Sequence, residues 1–193
     1  KYAISVNSWT SGLIAAVGSL EIEPQDEIIL PAWTMSACAA AILHWNALPV
    51  FADINTLSFN LDYKDVENKI TKRTKAIIAP DIFGQSADII NLKKVAKKYK
   101  LKIISDTAQA PYSKYQSNFT GTLADIGGFS LNYHKHINTG EGGVVVTNNK
   151  KLAERMQLIR NHGESVVEGK KVTNINNIIG YNFRMGEIEA AIA

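Results

Sequence analysis

Two polar residues of this chain are of the types that covalent amine chemistry requires, and each lies close behind an apolar segment. Asp106 follows the run Leu101–Ser105, and Lys135 comes shortly after the run Ile126–Leu131. A lysine amine can condense with an aldehyde, and an aspartate can pair with a protonated ring nitrogen. These are the two groups that a pyridoxal phosphate (PLP) enzyme must supply, so the pair defines the first functional hypothesis.

The segments around these residues predict an α/β fold with a largely parallel sheet. Short apolar runs alternate with segments whose apolar residues recur every three or four positions. The predicted strands are Ala3–Val6, Glu27–Leu30, Leu48–Ala52, Lys75–Ala79, Leu101–Ser105, Ile126–Leu131 and Gly143–Thr147, and the predicted helices are Thr10–Leu20, Met35–Trp45, Tyr63–Ile70, Asn91–Tyr99 and Lys151–Arg160. The polar segment Glu164–Ile178 has no clear period and is predicted to be a loop or a hairpin.

Polar residues follow four of the predicted strands, and ligands bind beyond the carboxyl ends of the strands in open sheets of this kind. In chain order these residues are Thr10 and Ser11, Trp33, Asp106 and Gln109, and Ser130 and Lys135. Thr10 and Ser11 open a helix, where the helix dipole and free N–H groups favour an anion such as a phosphate. One crevice would therefore hold a phosphate, stack an aromatic ring, pair with its nitrogen and bind its aldehyde.

Each of these residues also has a simpler interpretation. Thr10 and Ser11 are typical helix-capping residues, and Trp33 suits a core position equally well. Asp106 at a strand end can cap the helix that follows, and a lone lysine such as Lys135 is more often a surface residue than a Schiff base. The functional hypothesis therefore depends on the co-occurrence of the whole set.

Two features near Lys135 invite other functions. His134 and His136 flank it, but no carboxylate or cysteine at ligand spacing accompanies them, so the sequence does not predict a metal site. The glycine-rich run Thr139–Gly143 lacks the preceding strand and following helix of a nucleotide-binding loop. It is predicted to turn the backbone tightly into the next strand.

The composition is that of an ordinary globular protein with one domain. The 193 residues include 21 Lys and Arg against 18 Asp and Glu, a formal net charge of +3. The basic cluster Lys93–Lys100 contains apolar residues at helical spacing and is predicted to be the exposed face of a helix rather than a nucleic-acid site. The single Cys38 fits a reducing compartment, and neither a leader nor a membrane span is recognisable, so the predicted location is the cytoplasm.

Eight motifs occur in a fixed order along the chain. They are Asn7–Leu13 (NSWTSGL), Glu27–Thr34 (EIILPAWT), Arg73–Ile78 (RTKAII), Asp106–Ala110 (DTAQA), Asp125–Ser130 (DIGGFS), Thr139–Thr147 (TGEGGVVVT), Arg160–Gly163 (RNHG) and Gly180–Met185 (GYNFRM). Together with Lys135 they resemble the nucleotide-sugar aminotransferases of the DegT/DnrJ/EryC1/StrS family. The resemblance covers essentially the whole chain and implies the aspartate aminotransferase type of fold, in which a three-layer α/β/α large domain with a mostly parallel seven-stranded sheet binds PLP.

The resemblance also implies a role for each candidate residue. Lys135 would hold PLP covalently and then shuttle protons, and Asp106 would keep the pyridine nitrogen protonated. Gln109 would contact the hydroxyl side of the ring, and Trp33 would stack on it. The phosphate would be held by Thr10, Ser11 and Ser130, and Asn182 would reach the phosphate of the neighbouring subunit's cofactor.

Activity and assembly follow from the same resemblance. It implies transfer of an amino group, with glutamate as the expected donor, to a keto group of a nucleotide-linked deoxysugar in polysaccharide biosynthesis, for example of lipopolysaccharide, by a homodimer with shared sites. Residues 1–193 would be the PLP-binding large domain without the smaller C-terminal domain. The chain begins with Lys and ends in an apolar helical pattern without a stop signal, so we expect it to be truncated at both ends.

Some residues depart from the family pattern, and two other functions stay open. The family usually has Gly where Trp9 stands, and smaller residues where Tyr133 and His134 stand, which would narrow the sugar pocket. A subgroup of dehydratases has histidine in place of the lysine, whereas this chain has Lys135 with histidine only beside it. Besides dehydration, a non-catalytic regulatory or scaffold protein with the same fold is an alternative. Retention of Asp106, Gln109, Ser130 and Lys135 together argues against it.

Overall fold

The structure, a computed structural model, describes residues 1–164 and 178–193. Its strands are β1 (Tyr2–Val6), β2 (Glu27–Pro31), β3 (Leu48–Ala52), β4 (Thr74–Pro80), β5 (Lys102–Asp106), β6 (Lys114–Tyr115), β7 (Asn118–Phe119), β8 (Ile126–Ser130) and β9 (Gly143–Thr147). Its α-helices are α1 (Trp9–Ser19), α2 (Ala37–Leu43), α3 (Tyr63–Lys69), α4 (Ile89–Tyr99), α5 (Lys150–Arg160) and α6 (Glu187–Ile192), and a short 3-10 helix spans Ile82–Gly84. The predicted segment Glu164–Ile178 lies almost entirely outside the described residues.

Seven of these strands form one sheet in the order β1-β9-β8-β5-β4-β2-β3. Strand β9 runs antiparallel to both of its neighbours, and the remaining pairs, from β8 through to β3, are parallel. All seven predicted strands are confirmed to within one residue at each end, and the five predicted helices to within two. The small hairpin β6–β7 and the 3-10 helix were not predicted.

Helices cover both faces of the sheet, which confirms the three-layer α/β/α architecture. Consecutive residues of a strand point to opposite faces, so Ile104 packs in the cluster beneath α1, α2 and α5, whereas Ile103 packs in the cluster beneath α3 and α4. Burial on both faces explains why the central strands β2, β4 and β5 are largely apolar rather than alternating. In α4 the lysines are exposed while Leu92 and Val95 are buried, as the spacing predicts.

Polar caps fix where several helices begin. The side chains of Ser8, Asp62, Asp88 and Asn149 each accept a hydrogen bond from a backbone N–H of the first helical turn. Such caps satisfy donors that have no partner within the helix. The cap at Ser8 places the N-terminus of α1 at the sheet edge where the strands β4, β5 and β8 end.

The connection between β8 and β9 is the loop that carries the candidate lysine. Leu131 N–H donates to the carbonyl of Gly142, and Thr139 N–H donates to the carbonyl of Leu131. Gly140 has φ +86°, a conformation that favours glycine. The glycine-rich run therefore turns the chain into β9, as predicted. In the described parts of the chain, every helix falls short of the length and apolar character that crossing a membrane requires.

Candidate active site

A cavity of about 440 Å³ opens at the carboxyl ends of the parallel strands, beside the N-terminus of α1. Its lining contains five of the eight residues that the sequence proposes for the site, namely Thr10, Asp106, Gln109, Ser130 and Lys135. These residues come from three separate segments of the chain, at or after the ends of β1, β5 and β8. The topology therefore brings together an amine, a carboxylate, an amide and two hydroxyls that are distant in sequence.

Asp106 is the last residue of β5 and is only 7% exposed. Oδ1 accepts hydrogen bonds from the indole Nε1 of Trp9 at 2.7 Å and from the backbone N of Ala108 at 3.1 Å. Oδ2 accepts one from Sγ of Cys38 at 3.1 Å. These donors compensate the burial of a carboxylate, which would otherwise be costly. Asp106 thus lies in the cavity wall in a fixed orientation.

Lys135 is half-buried in the loop between β8 and β9 and lines the same cavity. Its backbone N–H donates to the carbonyl of Asn132 at 2.8 Å. Nδ2 of Asn132 donates in turn to the carboxylate of Glu141 on the other arm of the loop, at 2.7 Å. The loop is therefore braced across its two arms, and this bracing sets the position of the lysine backbone.

Hydroxyl groups cluster where α1 begins. Ser8, Thr10 and Ser130 line the cavity. Ser11 is buried behind them, where its N–H and its hydroxyl both bond to Oγ of Ser8, at 3.1 and 2.9 Å. An anion held here would meet the positive end of the helix dipole as well as hydroxyl donors. Ser8 was missed as a site residue, although a serine before a helical period is a recognisable capping signal.

Gln109 lines the cavity, whereas Trp33 lies outside its lining. Oε1 of Gln109 accepts a hydrogen bond from the backbone N of Phe83 at 3.0 Å, which ties the short 3-10 segment to the cavity wall. Trp33 is 53% exposed and lies against Phe59, with ring centroids 6.3 Å apart, outside the lining. Met35, two residues further on, does line the cavity. The stacking role predicted for Trp33 therefore requires movement of its ring, whereas Met35 already faces the site.

Asn182 lies away from the cavity. Its side chain is exposed, while its carbonyl accepts a hydrogen bond from Nδ2 of Asn7 at 3.4 Å. The neighbouring Phe183 carbonyl accepts one from the Asn7 backbone N at 2.8 Å. The segment is thus attached to the connection between β1 and α1. A role for Asn182 in a neighbouring subunit stays a prediction.

A second buried carboxylate, Asp81, was not singled out from the sequence. It directly follows β4 and is 2% exposed. Its Oδ2 accepts hydrogen bonds from the hydroxyls of Ser105 at 3.0 Å and Thr107 at 2.7 Å. Its Oδ1 accepts a hydrogen bond from the backbone N of Ala87 at 2.8 Å. Burial outweighs these donors and raises the pKa of Asp81 from 3.8 to about 6. The sequence signal for this residue was its position directly after an apolar strand.

We expect this carboxylate to make stability depend on pH. Between about pH 4 and pH 6 the folded protein binds a proton at Asp81 that the unfolded chain has released, so the free energy of unfolding should fall as pH rises through this window. The full effect is about 3 kcal/mol. Denaturant unfolding of the wild type and Asp81→Asn at several pH values measures it, because the asparagine cannot titrate. Parallel pH profiles of the two proteins would contradict the prediction.

Within residues 1–164 and 178–193, we find no group of three or more His, Cys, Asp or Glu side chains that could hold a metal ion. His134 instead lies against the ring of Tyr133, with centroids 3.7 Å apart, and both line the cavity. The two residues that the sequence analysis associated with a narrower pocket therefore do lie at its wall.

Comparison with known proteins identifies this arrangement. GDP-perosamine synthase from Caulobacter vibrioides is 38% identical over 192 residues, which cover 100% of this chain and 51% of the relative. A pleiotropic regulatory protein from Geobacillus stearothermophilus is 35% identical over 193 residues, which cover 100% of this chain and 50% of the relative. Among solved structures, NtdA from Bacillus subtilis with bound cofactor PMP superimposes with a TM-score of 0.89 and 33% identity, over 100% of this chain and 43% of that one.

The chain spans about half the length of the curated relatives it matches. The sequence profile described as the DegT/DnrJ/EryC1/StrS aminotransferase family matches residues 1–193, that is, the entire chain. The chain therefore belongs to the DegT/DnrJ/EryC1/StrS aminotransferase family.

Proposed function

We propose that this chain is the PLP-binding part of an aminotransferase that moves an amino group from glutamate to a keto group of a nucleotide-linked deoxysugar. The observation that carries this proposal is the convergence of Lys135, Asp106 and the hydroxyl cluster on one cavity. Each group alone has a structural explanation, but a single wall that combines all three matches the needs of one cofactor. The names of relatives, among them GDP-perosamine synthase, support a nucleotide sugar as the substrate.

The donor set of the cavity fits PLP. Ser8, Thr10 and Ser130, with the N-terminus of α1, provide hydroxyl and N–H donors for a dianionic phosphate. Asp106 provides a carboxylate for a protonated ring nitrogen, and Lys135 an amine for the aldehyde. When bound, PLP supplies a carbonyl carbon that condenses with amines and a ring that accepts an electron pair.

The protein residues have distinct tasks in this chemistry. Nζ of Lys135 would hold PLP between turnovers and, once released by a substrate amine, would carry the proton of the 1,3-shift as a general base and then a general acid. The carboxylate of Asp106 would keep a proton on the ring nitrogen of bound PLP, which would let the ring accept an electron pair. The half-buried position of Lys135 limits the access of water to this proton transfer.

We further propose a cytoplasmic homodimer that serves polysaccharide or glycoconjugate biosynthesis, for example of lipopolysaccharide. The exposed side chain of Asn182 is available to a neighbouring subunit. The thiol of Cys38 is free and buried, which suits a reducing compartment. Size-exclusion chromatography with light scattering checks the dimer, and a monomer with full activity would contradict the shared site.

The proposed function predicts a spectroscopic half-reaction. The protein with PLP should absorb in the visible, and this band should disappear on addition of glutamate as 2-oxoglutarate forms in equal amount. Subsequent addition of a keto nucleotide sugar should restore the band, with the amino sugar identified by mass spectrometry. A protein that binds PLP but releases no 2-oxo acid from any amino donor would overturn the aminotransferase proposal.

A regulatory protein is the second candidate, because one relative carries that name. Retention of Lys135 and Asp106 in one cavity favours catalysis, since a binding protein would need neither group. The dehydratase alternative is disfavoured because the amine of Lys135 can carry the cofactor between turnovers. The half-reaction separates the three: a dehydratase would give a deoxygenated sugar without the amine, and a regulator would give no product.

A further inference from the structure

Trp9, which stands where the family usually has glycine, contacts the carboxylate of Asp106 in the cavity wall. It is the first residue of α1, 97 positions before Asp106, and is 5% exposed. Its indole N–H donates to Oδ1 of Asp106 at 2.7 Å. A neutral donor to a buried carboxylate forms a strong, charge-assisted hydrogen bond. Trp9 therefore connects the phosphate end of the cavity with the carboxylate end.

Two glycines make room for the indole, and a third makes room for the backbone of Trp9. A Cβ atom on Gly128 of β8 would lie 1.8 Å from the ring, one on Gly12 of α1 would lie 2.7 Å from it, and one on Gly143 of β9 would lie 2.8 Å from the Trp9 backbone N. Contacts this short are sterically impossible without displacement. The ring is consequently locked between the helix and the sheet, and its N–H has a fixed direction.

The two oxygens of Asp106 differ in the donors that they receive. Oδ1 receives two N–H donors, from Trp9 and Ala108, which uses both of its lone pairs. Oδ2 receives only the weak S–H donor of Cys38 among the described residues. Burial, together with the nearby carboxylate, raises the pKa of the Cys38 thiol well above its usual range, so the sulfur keeps its proton and donates. One strong acceptor position on Oδ2 is therefore left.

We infer that Trp9 is a positioning residue that fixes Asp106 so that Oδ2 is the oxygen presented to the ring nitrogen of the cofactor. This inference rests on the proposed function, since it concerns the partner of that nitrogen. The indole N–H saturates Oδ1 and prevents the carboxylate from rotating. In Trp9→Phe the carboxylate should become mobile and hold the ring proton less firmly.

The test uses the full-length protein with PLP labelled with ¹⁵N in the pyridine ring. The ¹⁵N chemical shift reports protonation of the ring nitrogen, which a merely structural residue would not change. In Trp9→Phe we expect the shift to move toward that of unprotonated pyridine, and the dissociation constant of PLP to rise about tenfold or more. The turnover number should fall by a similar factor, while KM for glutamate stays within about twofold.

Trp45→Phe is the matched control. This substitution also removes an indole N–H. In the wild type that N–H donates to the carbonyl of Ile14 at 2.8 Å and not to Asp106. Trp45→Phe should leave the ¹⁵N shift and the PLP affinity unchanged. If Trp9→Phe fails to fold, benzothienylalanine at position 9 keeps the ring shape without the N–H. An unchanged ¹⁵N shift in a folded position-9 variant, or an equal change in Trp45→Phe, would overturn the inference.

The contact itself can be tested without cofactor. In the apoprotein, the indole proton of Trp9 should be protected from exchange and should shift in Asp106→Ala, whereas that of Trp45 should not shift. A failure of the wild type to bind PLP would contradict the proposed function and leave this measurement intact. If the chemical shift of the Trp9 indole proton were the same in the wild type and in Asp106→Ala, the positioning role would be contradicted.

Discussion

Lys135→Ala is expected to abolish transamination and to lose the visible absorption band that marks a covalently held cofactor. The amine is the only group proposed to carry PLP between turnovers, and it is also the proton carrier, so its loss removes two contributions at once. Removal of such a group typically costs roughly 10³-fold or more in turnover. Non-covalent binding of PLP should persist, because the phosphate and ring contacts do not involve the lysine.

Borohydride reduction of the wild type followed by peptide mapping locates the modified lysine directly. The label should be on Lys135, and Lys135→Ala should incorporate none. Lys150→Ala serves as the control, since Lys150 is an exposed residue of α5. Label on any other lysine would show that the assignment is wrong, whatever the activity of the variant.

Asp106→Asn is expected to bind PLP yet to slow the chemical step by roughly 100-fold to 1,000-fold. The neutral amide cannot stabilise a proton on the ring nitrogen, while its similar shape keeps the hydrogen bond from Trp9 available. Asp106→Glu should retain more activity because it keeps the charge. Single-turnover absorbance changes with glutamate measure the chemical step separately from binding.

Asp81→Asn gives the matched comparison for this variant. Asp81 is equally buried and directly follows the adjacent strand β4, but its carboxylate bonds to the hydroxyls of Ser105 and Thr107 rather than to Trp9. Its replacement should slow the chemical step far less. Near-normal turnover of Asp106→Asn, or equal losses in both variants, would mean that Asp106 has only a structural role.

The sequence predicted the sheet closely because its central strands, β2, β4 and β5, are buried on both faces. The runs Lys75–Ala79 and Leu101–Ser105 each contain consecutive buried apolar residues, and an aspartate follows each within two positions, so type and boundary are both recognisable. The edge of the sheet that carries the site followed from the same pattern. The hairpin β6–β7 was missed because its strands have two residues each and no apolar period.

The details of the site were less predictable, because they depend on how loops are oriented. Trp33 and Met35 are two residues apart in an irregular connection, and no periodicity shows which of them faces the cavity. The contact between Trp9 and Asp106 joins two segments that are 97 positions apart. Its only sequence signal was a bulky residue where the family usually has glycine.

The antiparallel pairing of β1 with β9 affects the order in which the sheet can form during synthesis. Among the described residues, strand β1 lies at the sheet edge and pairs with β9 alone, whose residues come about 140 positions later. At ribosomal rates of roughly 5 to 20 residues per second, β1 stays unpaired for about 7 to 30 seconds after it emerges. Nine of the eleven residues of helix α1 are buried in the folded chain. They also stay partly uncovered until β9 is synthesised. The apolar surface of the helix is then open to chaperones, and late loop closure of this kind slows folding.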